Sequence, residues 1–298
     1  MQNPQKTREL HNHHMDSTIW NRFPVRSDDI IIATYGKAGT TWTQQIIGQL
    51  VFNGDPDLRV GDMSPWLDLR FPPEADKFAM LEAQTHRRFI KTHLPLDAFV
   101  FHPELKHIYI ARDGRDVIWS MYNHHKAFKP DVYEMFNGPG LVGEALAPPD
   151  PDIRRYFLTW LEKDGWPFWS FWENTRTWWA ARHHPSVLML HFNDMKKDLQ
   201  GSVRRIAAFL GIDADEQTLA RVVRHSSFEY MKEHAERSVP LGGEIFEGGA
   251  KAFINKGTNG RWRDVLTGED IAAYEARTGA ELGPACARWL AGGGPLPE

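Results

Sequence analysis

The stretch IIATYGKAGTTWTQQIIGQL, from Ile31 to Leu50, constrains the fold more than any other part of the chain. It opens as a short β-branched apolar run, and from Asp29 to Tyr35 it reads as a buried strand. After Thr40, the residues Trp42, Ile46, Ile47 and Leu50 recur at helical spacing, with Gln44, Gln45 and Gln49 between them. A turn of small residues, Gly36 to Gly39, joins the two. Strand, glycine turn and helix together set a helix N-terminus, with its free N–H groups, over a ligand.

The pattern recurs. RRFIKTH reads as a strand that leaves Lys91, Thr92 and His93 at its end. HIYIARDGRDVIWSMYNHH reads as a strand, a turn and a helix carrying Val117, Ile118, Met121 and Tyr122. SVLMLHFNDM is a further strand, followed by the amphipathic VRRIAAFLGI, which Gly211 stops. Strands alternating with helices predict one α/β domain over residues 1–298, with a central parallel sheet flanked by helices and ligands at the strand carboxyl ends. Residues 1–15 read as a polar tail. The loop-rich stretches 129–152 and 240–260 read as lids or binding loops. Twelve tryptophans is a high count, and WPFWSFWENTRTWWAARHHP reads first as a core helix that uses their area.

Charge and cysteine content narrow the partners. A net charge of −4 argues against nucleic acid, yet leaves small anionic ligands open, since a local cluster of cations needs no global excess. The single cysteine, Cys286, allows no internal disulfide and fits a reducing, cytoplasmic setting. The first residues contain no apolar leader, and no run of eighteen apolar residues occurs, so no membrane partner is expected. His11, His13 and His14 lack the cysteine or acidic spacing of a metal site, and no metal is expected.

Four segments carry candidate chemistry. In the first turn, backbone N–H groups, the Lys37 charge and the Thr40 and Thr41 hydroxyls suit a phosphate-like anion; equally, glycine serves there only for its backbone angles. In KTHLPLD, Lys91 and His93 point to one side of a strand end, as a general base and a charge stabiliser would, although a lone histidine is more often structural. In YIARDGRDVIWSMYNHH, Arg112 suits a bidentate grip on phosphate and Ser120 lies two helical turns on; the bland alternative is a solvated cluster of Arg112, Asp113, Arg115 and Asp116. INKGTNGRW suits either a second phosphate clamp or an exposed turn. Together they bring cations and a histidine to one edge of one sheet.

Over most of its length the chain resembles the cytosolic-type sulfotransferase family, whose members move a sulfuryl group from 3′-phosphoadenosine 5′-phosphosulfate to a hydroxyl or amine. The resemblance implies a P-loop-like strand–loop–helix that binds the 5′-phosphosulfate without a metal. Lys37 would face the oxygen bridging phosphorus and sulfur, with Ala38, Gly39, Thr40 and Thr41 around the phosphate and Trp42 on the adenine. Lys91 would stabilise the sulfuryl group, and His93 would be the base. Arg112 and Ser120 would hold the 3′-phosphate, with Ser120 also restraining Lys37. Phe192, Ser226 and Phe228 would line the adenine site, and Asn255, Lys256 and Gly257 would close over the 3′-phosphate. A lysine placed early in the turn then has a reason: it serves the leaving phosphate oxygen, whereas a nucleotide triphosphate loop carries its lysine after the last glycine.

The chain departs from that family at several positions. Gly36 and Ala38 stand where proline and serine are usual, which removes one hydroxyl and loosens the turn. Asn255 replaces an arginine, and Arg261, where aspartate is usual, is expected to compensate. Phe192 replaces a tyrosine. RDVLTGEDIA keeps Thr267 but lacks the valine and glutamate of the dimer motif, so the oligomeric state stays open. The acceptor is expected to be a small phenol or hydrophobic alcohol, walled by Phe71, Phe128, Phe136 and Phe246. A P-loop kinase and a non-catalytic nucleotide-binding protein are the alternatives.

Overall fold

A computed structural model describes residues 2–297; Met1 and Glu298, the ends of the predicted domain, lie outside the described residues. Four strands form the centre: β1 Ile30–Thr34, β2 Phe89–Thr92, β3 Lys106–Ala111 and β4 Val187–His191. They are parallel and ordered β2-β1-β3-β4. Every residue of β1 is buried, as a central parallel strand requires. The chain leaves β1 for one neighbour and later returns to the other side at β3. The carboxyl ends of β1 and β3 therefore flank a crevice of the kind that binds ligands in open α/β sheets.

Alternation along β1 divides the core. Ile30 and Ile32 face a layer containing Ile46, Ile47 and Leu50 of α1 (Thr40–Val51), Val203, Ile206 and Leu210, and Leu219 and Val222. Ile31 and Ala33 face the opposite layer, with Tyr109, Val117, Ile118 and the tryptophans. In chain order the remaining helices are α2 Glu74–Glu82, α3 Gly114–Lys126, α4 Pro130–Asn137, α5 Ile153–Glu162, α6 Phe171–Ala180, α7 Phe192–Lys197, α8 Leu199–Leu210 and α9 Glu216–His225. Short α10 Phe228–Glu233, α11 Ala235–Ser238 and α12 Gly249–Phe253 precede the long α13 Gly268–Gly292. Trp172 and Trp178 of α6 are fully buried. Gly211 ends α8 in the left-handed conformation, at φ 66°.

Three expectations are corrected. Residues 2–15 are not a free polar tail. The Thr7 and Arg8 amides donate to the Asp97 carbonyl at 2.8 and 3.3 Å, and His13, His14 and Met15 are buried. Enough apolar surface surrounds these histidines to bury them neutral. The two loop regions also contain helices, α4 in one and α12 in the other, and they are joined: the Lys129 amide donates to the Ile245 carbonyl at 3.2 Å. Finally, Arg112, Asp113, Arg115 and Asp116 are buried rather than solvated. Asp113 caps α3 and pairs with Arg115 at 2.7 Å, which satisfies both charges internally.

Candidate active site

The turn between β1 and α1 leads into a helix whose N-terminus has no side-chain cap. Asp113, Asp152, Asp198 and Asp215 cap their helices with side-chain oxygens, but α1 begins at Gly39 with no side-chain cap. Its first-turn N–H groups are left for another acceptor. Gly39 sits at φ 127°, and a Cβ there would lie 3.1 Å from the Phe192 ring. Lys37 takes the left-handed conformation at φ 67°. Gly36 and Ala38 are buried.

Lys91 and His93 lie beside this turn because β2 pairs with β1 in register, Ile32 opposite Lys91 and Ala33 opposite Thr92. His93 Nδ1 is 2.8 Å from the Thr34 carbonyl, which can only accept, so Nδ1 carries the proton and Nε2 keeps its lone pair. The Thr34 hydroxyl lies 3.1 Å from Nδ1 and 2.6 Å from the Thr40 hydroxyl, tying the histidine to the start of α1. Burial, reinforced by the Lys91 charge, pushes His93 down to about 3, so it is neutral at pH 7. Burial pushes Lys91 down to about 8 against the pull of Asp68. Burial, with the Lys91 and Arg112 charges, pushes Lys37 down to about 7.

Arg112 follows β3 directly. Its guanidinium donates to the Lys37 carbonyl at 3.2 Å and lies 4.2 Å from the Phe192 ring centre. Nε and Nη2 both reach the Asn259 side-chain oxygen, at 3.1 and 2.6 Å. Burial pushes Arg112 down to about 10, opposed by Asp116 and Asp113 and helped by the Arg261 charge. Arg261 in turn donates to the Asn255 side chain at 3.4 Å. Trp42 meets Phe192 edge-on at 5.4 Å, and its indole N–H donates to the Ser226 carbonyl at 2.7 Å. The Ser226 hydroxyl is buried without a partner. Gly257, at φ 61°, packs so closely that a Cβ would lie 2.6 Å from the Phe228 ring.

Lys37 to Trp42 thus span the turn after β1 and the start of α1, Arg112 touches the Lys37 carbonyl and the Phe192 ring, Trp42 meets Phe192 and Ser226, and His93, two residues after Lys91 on β2, is tied to Thr34 and through it to Thr40. Phe228 and Lys256 stand at the exposed rim. Ser120 does not meet Lys37. The lysine ammonium instead lies 3.4 Å from Nδ1 of His124, one helical turn further along α3.

Sequence reasoning missed His124, Asn259, Trp66, Asp68 and Trp169. Counting four residues on from Ser120 would have found His124. Trp66 and Asp68 come from a segment that runs beside β2, where the Lys91 amide donates to the Pro65 carbonyl and the Leu67 amide to the Lys91 carbonyl, both at 3.1 Å. Trp66 meets His93 edge-on at 4.5 Å, and its indole N–H donates to Asp68 at 2.6 Å. Trp169 lies nearly parallel to the His93 ring at 5.8 Å.

The four phenylalanines named from sequence form one chain of rings. Phe71 meets Phe136 at 5.9 Å, Phe136 meets Phe128 at 6.2 Å and Phe128 stacks on Phe246 at 5.7 Å. His14 stacks on Phe136 at 3.9 Å and approaches Trp66 and Trp169, so the N-terminal segment packs onto this chain of rings.

Among the described residues no three His, Cys, Asp or Glu side chains are grouped to hold a metal, and no helix is long and apolar enough to cross a membrane.

A family model described as a sulfotransferase domain matches residues 27–284. A glycolipid sulfotransferase of Mycobacterium tuberculosis is 29% identical over 297 residues, covering 92% of this chain and 91% of that protein. Sulfotransferase 1A1 of Rattus norvegicus is 30% identical over 268 residues, covering 86% of each. Among solved structures, retinol dehydratase in complex with androsterone and the inactive cofactor PAP is 26% identical, with a TM-score of 0.70 over 89% of this chain and 83% of that one. Mouse sulfotransferase SULT7A1 complexed with PAP has the same fold, with a TM-score of 0.72 over 92% of each chain at 24% identity.

Proposed function

This chain belongs to the sulfotransferase family of enzymes, and from that premise we propose that it moves a sulfuryl group from 3′-phosphoadenosine 5′-phosphosulfate to a hydroxyl or amine of a small apolar acceptor, with His93 as general base. One observation carries the reading. A neutral histidine with a free Nε2 stands near the charges of buried Lys91 and half-buried Lys37 at the mouth of an uncapped helix.

The residues present suit such a donor. The open first turn of α1, with Lys37, Thr40 and Thr41, would take the 5′-phosphosulfate. Arg112, Ser120, Asn255, Lys256 and Gly257 would take the 3′-phosphate, with Arg261 adding charge. Trp42, Phe192, Phe228 and the unpartnered Ser226 hydroxyl would take the adenine. When bound, the donor supplies the sulfuryl group and the phosphate that leaves with the broken sulfur–oxygen bond.

The protein supplies the rest. His93 accepts the acceptor proton at Nε2, a contribution typically worth about 10²–10⁴-fold. Lys37 neutralises charge at the leaving oxygen, and Lys91 does so at the sulfuryl group; losing one such donor costs on the order of 10²–10³-fold. The aromatic chain from Phe71 to Phe246, with Trp66 and His14, favours a phenol or hydrophobic alcohol and keeps water from His93. The glycolipid and androsterone in the names of similar proteins support the hydrophobic-alcohol side of that range.

The test is a transfer assay with labelled donor across phenols, aliphatic alcohols, amines and sugars. Label passing to a phenol or apolar alcohol supports the reading. Transfer only from ATP with magnesium would replace it with a kinase.

A further inference from the structure

The segment 65–69 beside β2 is held by two buried charged side chains. Asp68 is fully buried, and so is nearly all of Lys77 on α2. Lys77 donates to the Leu67 carbonyl at 2.7 Å and to the Leu69 carbonyl, on either side of Asp68. Every group that meets the Asp68 carboxylate is a donor. The Trp20 indole N–H reaches Oδ1 at 3.1 Å, while the Trp66 indole N–H and the His93 backbone N–H share Oδ2 at 2.6 and 3.4 Å. The Thr92 oxygen accepts from the Leu94 amide, which leaves its hydroxyl proton for the same carboxylate. Burial pushes the Asp68 carboxyl up against the pull of these four donors. A protonated carboxyl would aim its hydrogen at one of them, so the group is the anion. A buried charge met by hydrogen bonds but joined to no cation is costly, and calls for a role.

What the contacts hold is Trp66. On the core side, Trp20 packs on Phe23 and Phe99 at 5.8 and 4.7 Å, which anchors Oδ1. On the other side, Trp66 meets His93 edge-on at 4.5 Å, and Trp169 packs on both rings at 5.8 Å. With Nδ1 on the Thr34 carbonyl, the two indoles fix the plane of the imidazole and so the direction of Nε2. Lys91 lies over the Trp66 ring at 5.5 Å, and its backbone pairs with Pro65 and Leu67. Asp68 is the charge that favours protonated Lys91. The other titratable groups near Lys91 are Lys37 of the turn, His93 and, on α3, His124, none of them an anion. Beyond Asp68 stands Lys77, with Glu74 and Asp16 as its own acidic neighbours.

We infer that Asp68 is a positioning residue: its carboxylate fixes the Trp66 indole against the His93 imidazole and places a negative charge on the segment that runs beside Lys91. The inference rests on the proposed reaction, in which His93 is the base and Lys91 stabilises charge on the sulfuryl group. Asp68 acts through both and touches neither the donor nor the acceptor. A base turned away from its acceptor loses the alignment that transfer needs, and a misplacement of about 1 Å costs on the order of 10²-fold. A lysine without a nearby anion, buried as Lys91 is, gives up its proton more readily.

The test compares Asp68→Asn, which keeps the shape and removes the charge, with Trp66→Phe, which keeps a ring and the carboxylate but removes the N–H between them. Three quantities are measured: the single-turnover rate from pH 6 to 9, affinity for the desulfated 3′,5′-bisphosphate at pH 6, and the ¹⁵N imidazole spectrum of His93. At pH 6, where Lys37 and Lys91 are both protonated, each substitution is expected to slow transfer about 10- to 100-fold and to leave bisphosphate affinity unchanged. The double variant should be no slower than the slower single one, since both break the same link. In Asp68→Asn alone, the fall in rate near pH 8 should move to lower pH, because protonated Lys91 has lost its anion. The unaltered protein should show one neutral His93 tautomer, protonated at Nδ1, and both substitutions should average its signals. Rates at pH 6 close to that of the unaltered protein, bisphosphate affinity lost in proportion to rate, or an alkaline limb that stays in place overturns the inference. Trp66→Phe leaves the buried charges intact, so it carries the positioning test even if Asp68→Asn fails to fold. If the unaltered protein transfers no label, the proposed reaction itself has failed; the imidazole spectra need no turnover and still decide whether Asp68 orients His93.

Discussion

The Lys37 ammonium lies 3.4 Å from Nδ1 of His124 and 3.8 Å from the centre of the Phe253 ring. Burial pushes His124 well below the usual imidazole range, so the ring is neutral and Nδ1 can accept from the lysine. The contact links the β1–α1 turn to the 240–260 region, because Phe253 belongs to α12 and His124 also meets Phe246. Lys37 itself titrates near 7, with Lys91, Arg112 and His124 as its charged or titratable neighbours.

Nucleotide affinity should therefore depend on pH with a defined sign. An anion at the turn favours protonated Lys37, so binding takes up a proton and affinity falls as pH rises through about 7. A slope approaching tenfold per pH unit is expected, steepening where Lys91 also loses its proton near 8. Lys37→Met should flatten the first part of that profile, and His124→Phe should move it to lower pH by removing an acceptor for the charged form. Titration of the bisphosphate by calorimetry between pH 6 and 9 measures all three.

Asn259 occupies the fork of Arg112 that a 3′-phosphate would use, at 3.1 and 2.6 Å. A phosphate must displace that amide. Asn259→Ala is expected to tighten bisphosphate binding by about three- to tenfold, the order of one hydrogen bond to a charged group exchanged for another. Asn259→Asp should weaken it by about tenfold or more, since a carboxylate would pair with the guanidinium. Both variants weakening equally would mean that Asn259 only shapes the loop.

Much of this arrangement is legible in the sequence, and for a physical reason. β-branched runs ending in glycine, and apolar residues at helical spacing, are local signals, so β1, α1, β3 and α3 fall where their patterns place them. The residues at the ends of those elements then follow automatically, Lys37, Lys91, His93 and Arg112 among them. Contacts made across the chain are not local. His14 reaches Phe136 and Trp66 from a segment whose composition reads as a solvated tail. Asn259 meets Arg112 across 147 positions. Trp169 reads as one of many core tryptophans until its distance to His93 is known.

Acid should destabilise the fold early. His93, His107 and His125 are buried, and burial pushes them down to about 3, 3 and 4. Below about 6.5 the unfolded chain binds protons that the native state refuses, so stability falls as pH falls. Each of the three contributes a loss of about 2 kcal/mol by pH 5. Urea denaturation at pH 7 and pH 5 measures the sum. His107→Gln, remote from the crevice, should reduce the pH dependence by one group's share.

The base assignment is tested most directly with His93→Ala, measuring labelled sulfuryl transfer beside bisphosphate affinity. Transfer is expected to fall about 10²–10⁴-fold, while the bisphosphate binds as to the unaltered protein, because as the proposed base His93 would face the acceptor and not the bisphosphate. Transfer close to that of the unaltered protein, or affinity lost in proportion to rate, would contradict His93 as the group that takes the acceptor proton.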